Sequence, residues 1–324
     1  MPFQIMPTDD GSLSCLDLET GQLSHNSAGA YTEAFQNYVR PSLLLEKPEK
    51  ADQIRVLDVC YGMGYNSWAL INEILKQGLT CQHPTRPPFT ISITAIEKHL
   101  EAVQFLPHVL KHPTFDALRT FLAPSEHNIY YRTLTDTNDT KEELTNPRRF
   151  MMTVAGWLRL DITLWLDDLR CRVPQLQEDF DAIFHDPFSP QKMPELWTQD
   201  LFQHYHRLLI EKQGVLLTYS TAAAVRGGLS AAGFHVLKTP GLGRKAGSTL
   251  ALTTPLTVAS DFTLPLAAWE AEYIQSRAGI PYRDEGLQQS RSHILQQRLM
   301  AQENSARPSG AKALKQKPIY DPHT

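Results

Sequence analysis

Four short apolar runs in this chain each end on an acidic residue, and that placement suggests chemistry before any fold is assigned. Ile54-Arg55-Val56-Leu57-Asp58-Val59 leads into Cys60-Tyr61-Gly62-Met63-Gly64-Tyr65-Asn66, Phe89 to Ile96 ends at Glu97, a β-rich stretch to Leu166 ends at Asp167-Asp168, and Phe180 to His185 ends at Asp186-Pro187. In open α/β sheets, ligands bind where strands end at their carboxyl side. Glycines at 62 and 64, after a strand and before a helix, let the backbone approach a nucleotide-like ligand and turn sharply. A dinucleotide site wants a third glycine for its pyrophosphate, and that position is Ser67. S-adenosyl-L-methionine carries no phosphate and is cationic at its methionine end, which suits acids at successive strand ends. Asp58 is placed to meet that end, Glu97 can accept from both ribose hydroxyls, and Asp168 can accept from the adenine amino group. Glu97 alone would serve either cofactor. Cys60, Tyr61 and Asn66 in the loop, Lys98 after Glu97 and His185 before Asp186 are grouped with the same cofactor site.

The elements that must position these residues alternate strand with helix, the signature of a doubly wound parallel sheet. The pattern predicts a small N-terminal β-hairpin from Asp10 to Leu23, with turn signals at Asp10-Gly11 and Thr20-Gly21, and a short helix from Ala30 to Val39 that Pro41 ends. A helix follows the glycine loop with Trp68, Ile71, Ile74 and Leu75 on one face and Gly78 at its end. Leu100 to Leu106 is a helix interrupted by Pro107, residues 119–149 are a polar insertion, a helix runs from Pro194 to Ile210, Val215 to Tyr219 is a strand, and residues 221–232 are helical. Phe234 to Lys238 and Thr249 to Thr253 pair as final antiparallel strands. The expected organisation is an N-terminal β element over residues 1–45, an α/β domain over 46–258 and a helical, basic, partly disordered tail over 259–324.

Composition limits the remaining classes. Hydrophobic residues at 42% and charged residues at 20% are those of a globular chain. No apolar run approaches the roughly 18 residues of a membrane span, and the N-terminus lacks a secretory pattern, so a cytoplasmic protein is expected. Cys15, Cys60, Cys81 and Cys171 form no CxxC pair and are expected as free thiols. His108 and His112 stand four apart, but Pro107 and the lack of nearby acids argue against a metal site, and none is expected. Net charge −4 argues against a non-specific coat for nucleic acid. It does conceal a local excess: between Gly286 and Tyr320 stand Arg291, Arg298, Arg307, Lys312, Lys315 and Lys317 against Glu303, a net +5. Such an arm is either a solvated terminus or a feature attracted to RNA phosphates.

The most distinctive segment is Asp186-Pro187-Phe188-Ser189-Pro190-Gln191-Lys192-Met193-Pro194-Glu195-Leu196-Trp197-Thr198. With the glycine loop, Glu97 and Gly241-Leu242-Gly243-Arg244-Lys245, it resembles the methyltransferase half of the MnmC family, whose pattern is Asp-x-Phe-Ser/Ala-Pro-x-Lys-x-Pro-x-x-Trp-Thr. The resemblance spans roughly residues 8 to 255 and takes in Ser27-Ala28-Gly29-Ala30 and Glu33. It implies a class I S-adenosylmethionine-dependent methyltransferase, Rossmann-like with a seven-stranded, mostly parallel sheet. The implied reaction is N-methylation of the 5-aminomethyl group of 2-thiouridine at the tRNA wobble position, with the anticodon stem-loop as partner. Since no second dinucleotide fold is legible, the FAD-dependent oxidative half is expected to be absent. Cys60 departs from the family, where glycine is common, as does His185, where a hydrophobic or small residue is usual; the insertion has no counterpart.

An amine attacks a sulfonium methyl in line and must be neutral to do so, whereas an alkylammonium has a pKa of about 10. Asp186 is the candidate catalytic group, holding the amine and taking or relaying its proton. Phe188 and Trp197 could offer faces to a base, although Trp197 fits a core position equally well. Lys192, Arg244 and Lys245 could meet anticodon phosphates, and Glu33 completes the substrate set. Two other readings stay open: a methyltransferase or aminopropyl-transfer-like enzyme of the same fold acting on a small free amine, and a non-catalytic RNA-binding protein with a degenerate cofactor pocket.

Overall fold

A computed structural model of the protein describes residues 3–18, 21–24, 29–49, 51–78, 88–121, 146–211, 213–241, 247–256 and 261–317. The chain divides into two compact units, Met1–Leu169 with Phe184–Asp186 and Arg170–Ile183 with Pro187–Thr324.

In the first unit, strands β1 (Phe3–Pro7), β2 (Leu13–Asp17) and β3 (Gln22–Leu23) form an antiparallel sheet in that order. The expected hairpin is present and β1 extends it. Its turn is tied by Asp10, whose Oδ1 accepts from the Thr8 hydroxyl and from both the backbone N–H and hydroxyl of Ser12. The helix Ala30–Ala34 continues into a π-helical turn, Phe35–Val39.

Strand β4 (Gln53–Val59) is buried at its last four residues, as a central strand must be, and the helix Tyr65–Gly78 after it buries Trp68, Ile71, Ile74 and Leu75 to within 1% of full burial. β5 (Phe89–Glu97) pairs in parallel with β4, Asp58 opposite Ala95, and in parallel with β7 (Leu158–Leu166), Glu97 opposite Leu166. The three strands therefore end level, and the acids that follow share one edge. The larger sheet has eight strands rather than seven, in the order β10-β11-β9-β8-β4-β5-β7-β6. β6 (Arg148–Val154) is the addition, folded antiparallel onto β7. Its hairpin closes through three residues, 155–157, of which Ala155 and Gly156 take left-handed φ (55° and 75°). Most of the predicted insertion, residues 122–145, lies outside the described residues.

β8 (Ala182–His185) is fully buried and delivers Asp186. In the second unit, β9 (Val215–Thr218) and β10 (His235–Lys238) flank β11 (Thr249–Leu252), antiparallel on both sides. The helix expected from Pro194 is two elements: a 3-10 turn at Pro194–Leu196, then a helix Gln199–Leu208 that Thr198 caps by accepting from the Leu201 N–H at 3.3 Å. The tail is folded through Lys317 rather than loose. Its helices Ala268–Gln275, Arg291–Glu303 and Ala311–Lys315 bury Ile274, Ile294 and Ala313, and its Arg291 and Arg298 serve internal contacts. Arg291 pairs with Glu195, and Arg298 donates to the carbonyls of Ile280 and Ala278 while stacking on Tyr282. Among the described residues no helix is long and apolar enough to cross a membrane.

Candidate active site

β4 points Asp58 into a completely buried position, where Ser67 donates to its Oδ2 at 2.5 Å and Oδ1 has no hydrogen-bond partner among the described residues. Burial pushes this carboxyl up to about 8; the Ser67 bond works against the shift, and the charges of Asp186 and Glu97 add to it. The third glycine that a dinucleotide turn would need is thus replaced by a hydroxyl that holds Asp58.

Between Asp58 and the helix, Cys60, Gly62 and Gly64 all take left-handed φ (59°, 55° and 81°). For Cys60 this conformation costs on the order of 1 kcal/mol, which explains why glycine suits the position better. A Cβ at Gly64 would lie 2.6 Å from the Tyr61 hydroxyl, which itself accepts from Trp68 Nε1 at 2.9 Å. Burial and four surrounding carboxylates, Glu97 foremost, raise the Cys60 thiol well above its ordinary range, so it stands as a neutral thiol.

Glu97 accepts from Gly62 N–H on Oε2, and from Lys98 and His99 N–H on Oε1, each at 2.8 Å. It fastens the glycine loop to the end of β5 and keeps a lone pair on Oε2 for a ligand hydroxyl. Burial raises its pKa in spite of those three backbone donors. Asp168 is engaged by Lys98, Nζ to Oδ2 at 3.1 Å, a mostly exposed pair that a ligand can displace at little cost.

Asp186 emerges half-buried where β8 ends against β4, its N–H on the Val59 carbonyl at 3.3 Å. Both carboxylate oxygens are held: Oδ1 by the Tyr38 hydroxyl at 2.6 Å and Oδ2 by Asn66 Nδ2 at 3.0 Å. Burial drives its pKa up to about 7, with the Glu33 carboxylate adding and the Tyr38 and Asn66 bonds opposing. Glu33 is half-buried on the helix Ala30–Ala34, and His185 is completely buried in β8.

The remaining predicted residues belong to the second unit. Trp197 is completely buried, its Nε1 donating to the Phe188 carbonyl at 2.8 Å and its ring edge-on to Tyr219 at 5.8 Å. Tyr219 in turn donates to the Pro187 carbonyl at 2.9 Å. Trp197 therefore fixes the loop after Asp186 from the core and presents no face to a base. Phe188 is half-buried and Lys192 exposed; Arg244 and Lys245 lie outside the described residues. Tyr38 and Tyr219 were not singled out from sequence, because their partners are 148 and 32 residues away. Among the described residues no group of three or more His, Cys, Asp or Glu could hold a metal ion.

Among the described residues Asp58 Oδ1 and Asn66 Oδ1 are buried acceptors without a donor, and beyond burial the groups that most shift Asp58 and Asp186 are other acids and neutral donors. Such a site calls for a ligand with N–H donors and positive charge, which the methionine end of S-adenosylmethionine supplies. The mostly parallel sheet is that of the class I S-adenosylmethionine-dependent methyltransferase fold. Residues 139–254 match the model of a family described as S-adenosyl-L-methionine-dependent methyltransferase. The chain is 27% identical to the crystal structure of MNMC2 from Aquifex aeolicus, with a TM-score of 0.68, over 94% of this chain and 86% of that one. It is 27% identical to the tRNA 5-methylaminomethyl-2-thiouridine biosynthesis bifunctional protein MnmC of Methylibium petroleiphilum over 81% of this chain, and spans 36% of that protein's length. It is also 25% identical, over 91% of its length, to an uncharacterized protein of Methanocaldococcus jannaschii. The chain is thus similar to MnmC-named proteins over most of its length.

Proposed function

We propose that this protein transfers a methyl group from S-adenosylmethionine to the primary amine of 5-aminomethyl-2-thiouridine, or of its oxygen counterpart, at the tRNA wobble position. The observation that carries the reading is Asp186: a half-buried carboxylate with a pKa of about 7, joined through Asn66 to the first turn of the helix after the glycine loop. The names of the relatives supply the tRNA.

Asp58 and Asn66 would hold the cationic end of the cofactor, Glu97 its ribose and Asp168 its adenine amino group. When bound, the cofactor supplies an electrophilic methyl group on a sulfonium. An amine nitrogen attacks only with its lone pair free, so the ammonium must first lose a proton. Asp186, ionised above about pH 7, accepts that proton and keeps the amine aimed by the resulting hydrogen bond. The nitrogen–carbon bond would form as the sulfur–carbon bond breaks, the positive charge passing from sulfur to the methylated nitrogen. Lys192, Arg244 and Lys245 would contact anticodon phosphates, and Phe188 a base.

Mass spectrometry of nucleosides from tRNA bearing 5-aminomethyl-2-thiouridine, incubated with protein and S-adenosylmethionine, tests the assignment. A gain of one methyl group on that nucleoside is expected, with a rate that climbs as pH rises through about 7. Methylation of a small free amine but not of this tRNA would overturn the substrate, and absence of binding heat with S-adenosylmethionine would overturn the enzyme.

A further inference from the structure

The chain enters the π-helical turn Phe35–Val39 directly from the helix Ala30–Ala34. Turns of this kind are uncommon and recur at functional sites. In a continuous α-helix, residues five apart diverge by about 140°, so Glu33 and Tyr38 would face different directions. The i→i+5 turn departs from that spacing. The Tyr38 hydroxyl donates to Asp186 Oδ1 at 2.6 Å, and Glu33, half-buried five residues earlier, adds a negative charge that opposes ionisation of that carboxyl. Tyr38 is completely buried and packs edge-on against Phe184 of β8, ring centroids 5.8 Å apart, so its hydroxyl has no freedom to turn away. Asn66 holds the other oxygen, which fixes the carboxylate plane and leaves each oxygen room for one further partner.

We infer that Tyr38 is a positioning residue that acts through Asp186, stabilising its ionised form and fixing its orientation, with the half-buried Glu33 five residues earlier as the contrasting charge. The inference rests on Asp186 being the group that accepts the amine proton. Other titratable groups beside Asp186 among the described residues include Asp58 from β4, Cys60 from the glycine loop and the buried His185 of β8; all are carried unchanged through the comparison below.

The experiment is the pH profile of kcat/KM for methyl transfer by the full chain in three forms: the natural protein, Tyr38→Phe and Glu33→Gln. It is paired with carbon-13 NMR titration of the aspartate carboxyls in protein without cofactor, with Asp186→Asn identifying the resonance. Tyr38→Phe removes a donor to an ionised group, so the Asp186 midpoint and the acid limb should move up by about one pH unit or more, a roughly tenfold loss below pH 6.5. Glu33→Gln should move both down. Midpoints that stay put, or that move the same way in both variants, would overturn the inference. The NMR midpoints decide even if one variant turns over poorly, and loss of the native spectrum in Tyr38→Phe leaves the Glu33→Gln shift to decide. If Asp186→Asn methylates with the natural profile, the proposed proton acceptor is wrong; shifted NMR midpoints would then still show that Tyr38 and Glu33 tune this carboxyl.

Discussion

Buried carboxylates occur in both units and meet opposite conditions. In the second unit Glu270 is compensated twice, by Arg226 at 2.7 Å and Lys238 at 2.9 Å, and Asp284 is bound by Arg170 at 3.1 Å and by the Gln289 N–H. Burial alone would raise Glu270; the Ala267 N–H, Lys238 and Arg226 outweigh it and hold the pKa below the ordinary value. In the first unit Asp58 and Asp186 have hydrogen bonds but no such cations among the described residues, and they rise to about 8 and about 7. The same residue type is a structural fastening where positive charge is built in, and a ligand site where it is left to be supplied. A folded chain tolerates the second arrangement only at a cost in stability that ligand binding then offsets.

The sharpest break of this contrast is Asp186→Ala. Methyl transfer should fall about 10²- to 10⁴-fold, the range lost with a general base, while calorimetry shows cofactor binding largely kept. Equal loss of both would place Asp186 among the cofactor ligands. On the compensated side, Arg226→Ala leaves Glu270 with Lys238 alone and should destabilise the protein by about 3 kcal/mol in urea unfolding, with part of the loss recovered by adding Glu270→Gln.

Asp58→Asn should do the reverse to stability. The folded carboxyl titrates near 8 against an ordinary 3.8, so between those values the folded protein holds a proton that the unfolded chain has released. Its contribution to stability therefore falls as pH rises through that window. The variant should lose this slope, so that its urea midpoint drops less from pH 5 to pH 9 than that of the natural protein. Its affinity for S-adenosylmethionine should drop roughly tenfold or more. The smallest effect belongs to the exposed pair Arg149–Asp161 on the β6–β7 hairpin, 2.7 Å apart. Arg149→Ala should change stability by under about 1 kcal/mol, and a larger change would mean that pairing matters for reasons other than burial.

Most of the frame of the site was legible in sequence. Short buried strands announce themselves by unbroken apolar runs, and the glycines at 62 and 64 by the left-handed backbone they adopt. The acids at strand ends follow from the parallel order, since parallel neighbours must end on one edge. Other features were ambiguous locally: Trp197 satisfied both a core and a site pattern, and burial decided for the core. The basic tail suggested a loose arm because charge is visible in sequence, while partners such as Glu195 for Arg291, 96 residues away, are not. The start of the helix at Gln199 depended on Thr198 capping, a signal overlooked in favour of Pro194.

By itself, then, the sequence determined the strand-helix order, the glycine loop and which acids stand at the strand ends, because these depend on local backbone preference and periodicity. Only the tertiary structure decided the state of those acids. Whether a carboxylate rests as a paired anion or waits as a high-pKa acceptor depends on groups brought within about 3 Å from distant parts of the chain, as Tyr38 is brought to Asp186 and Ser67 to Asp58. Burial and the absence of a cation are properties of that assembled environment.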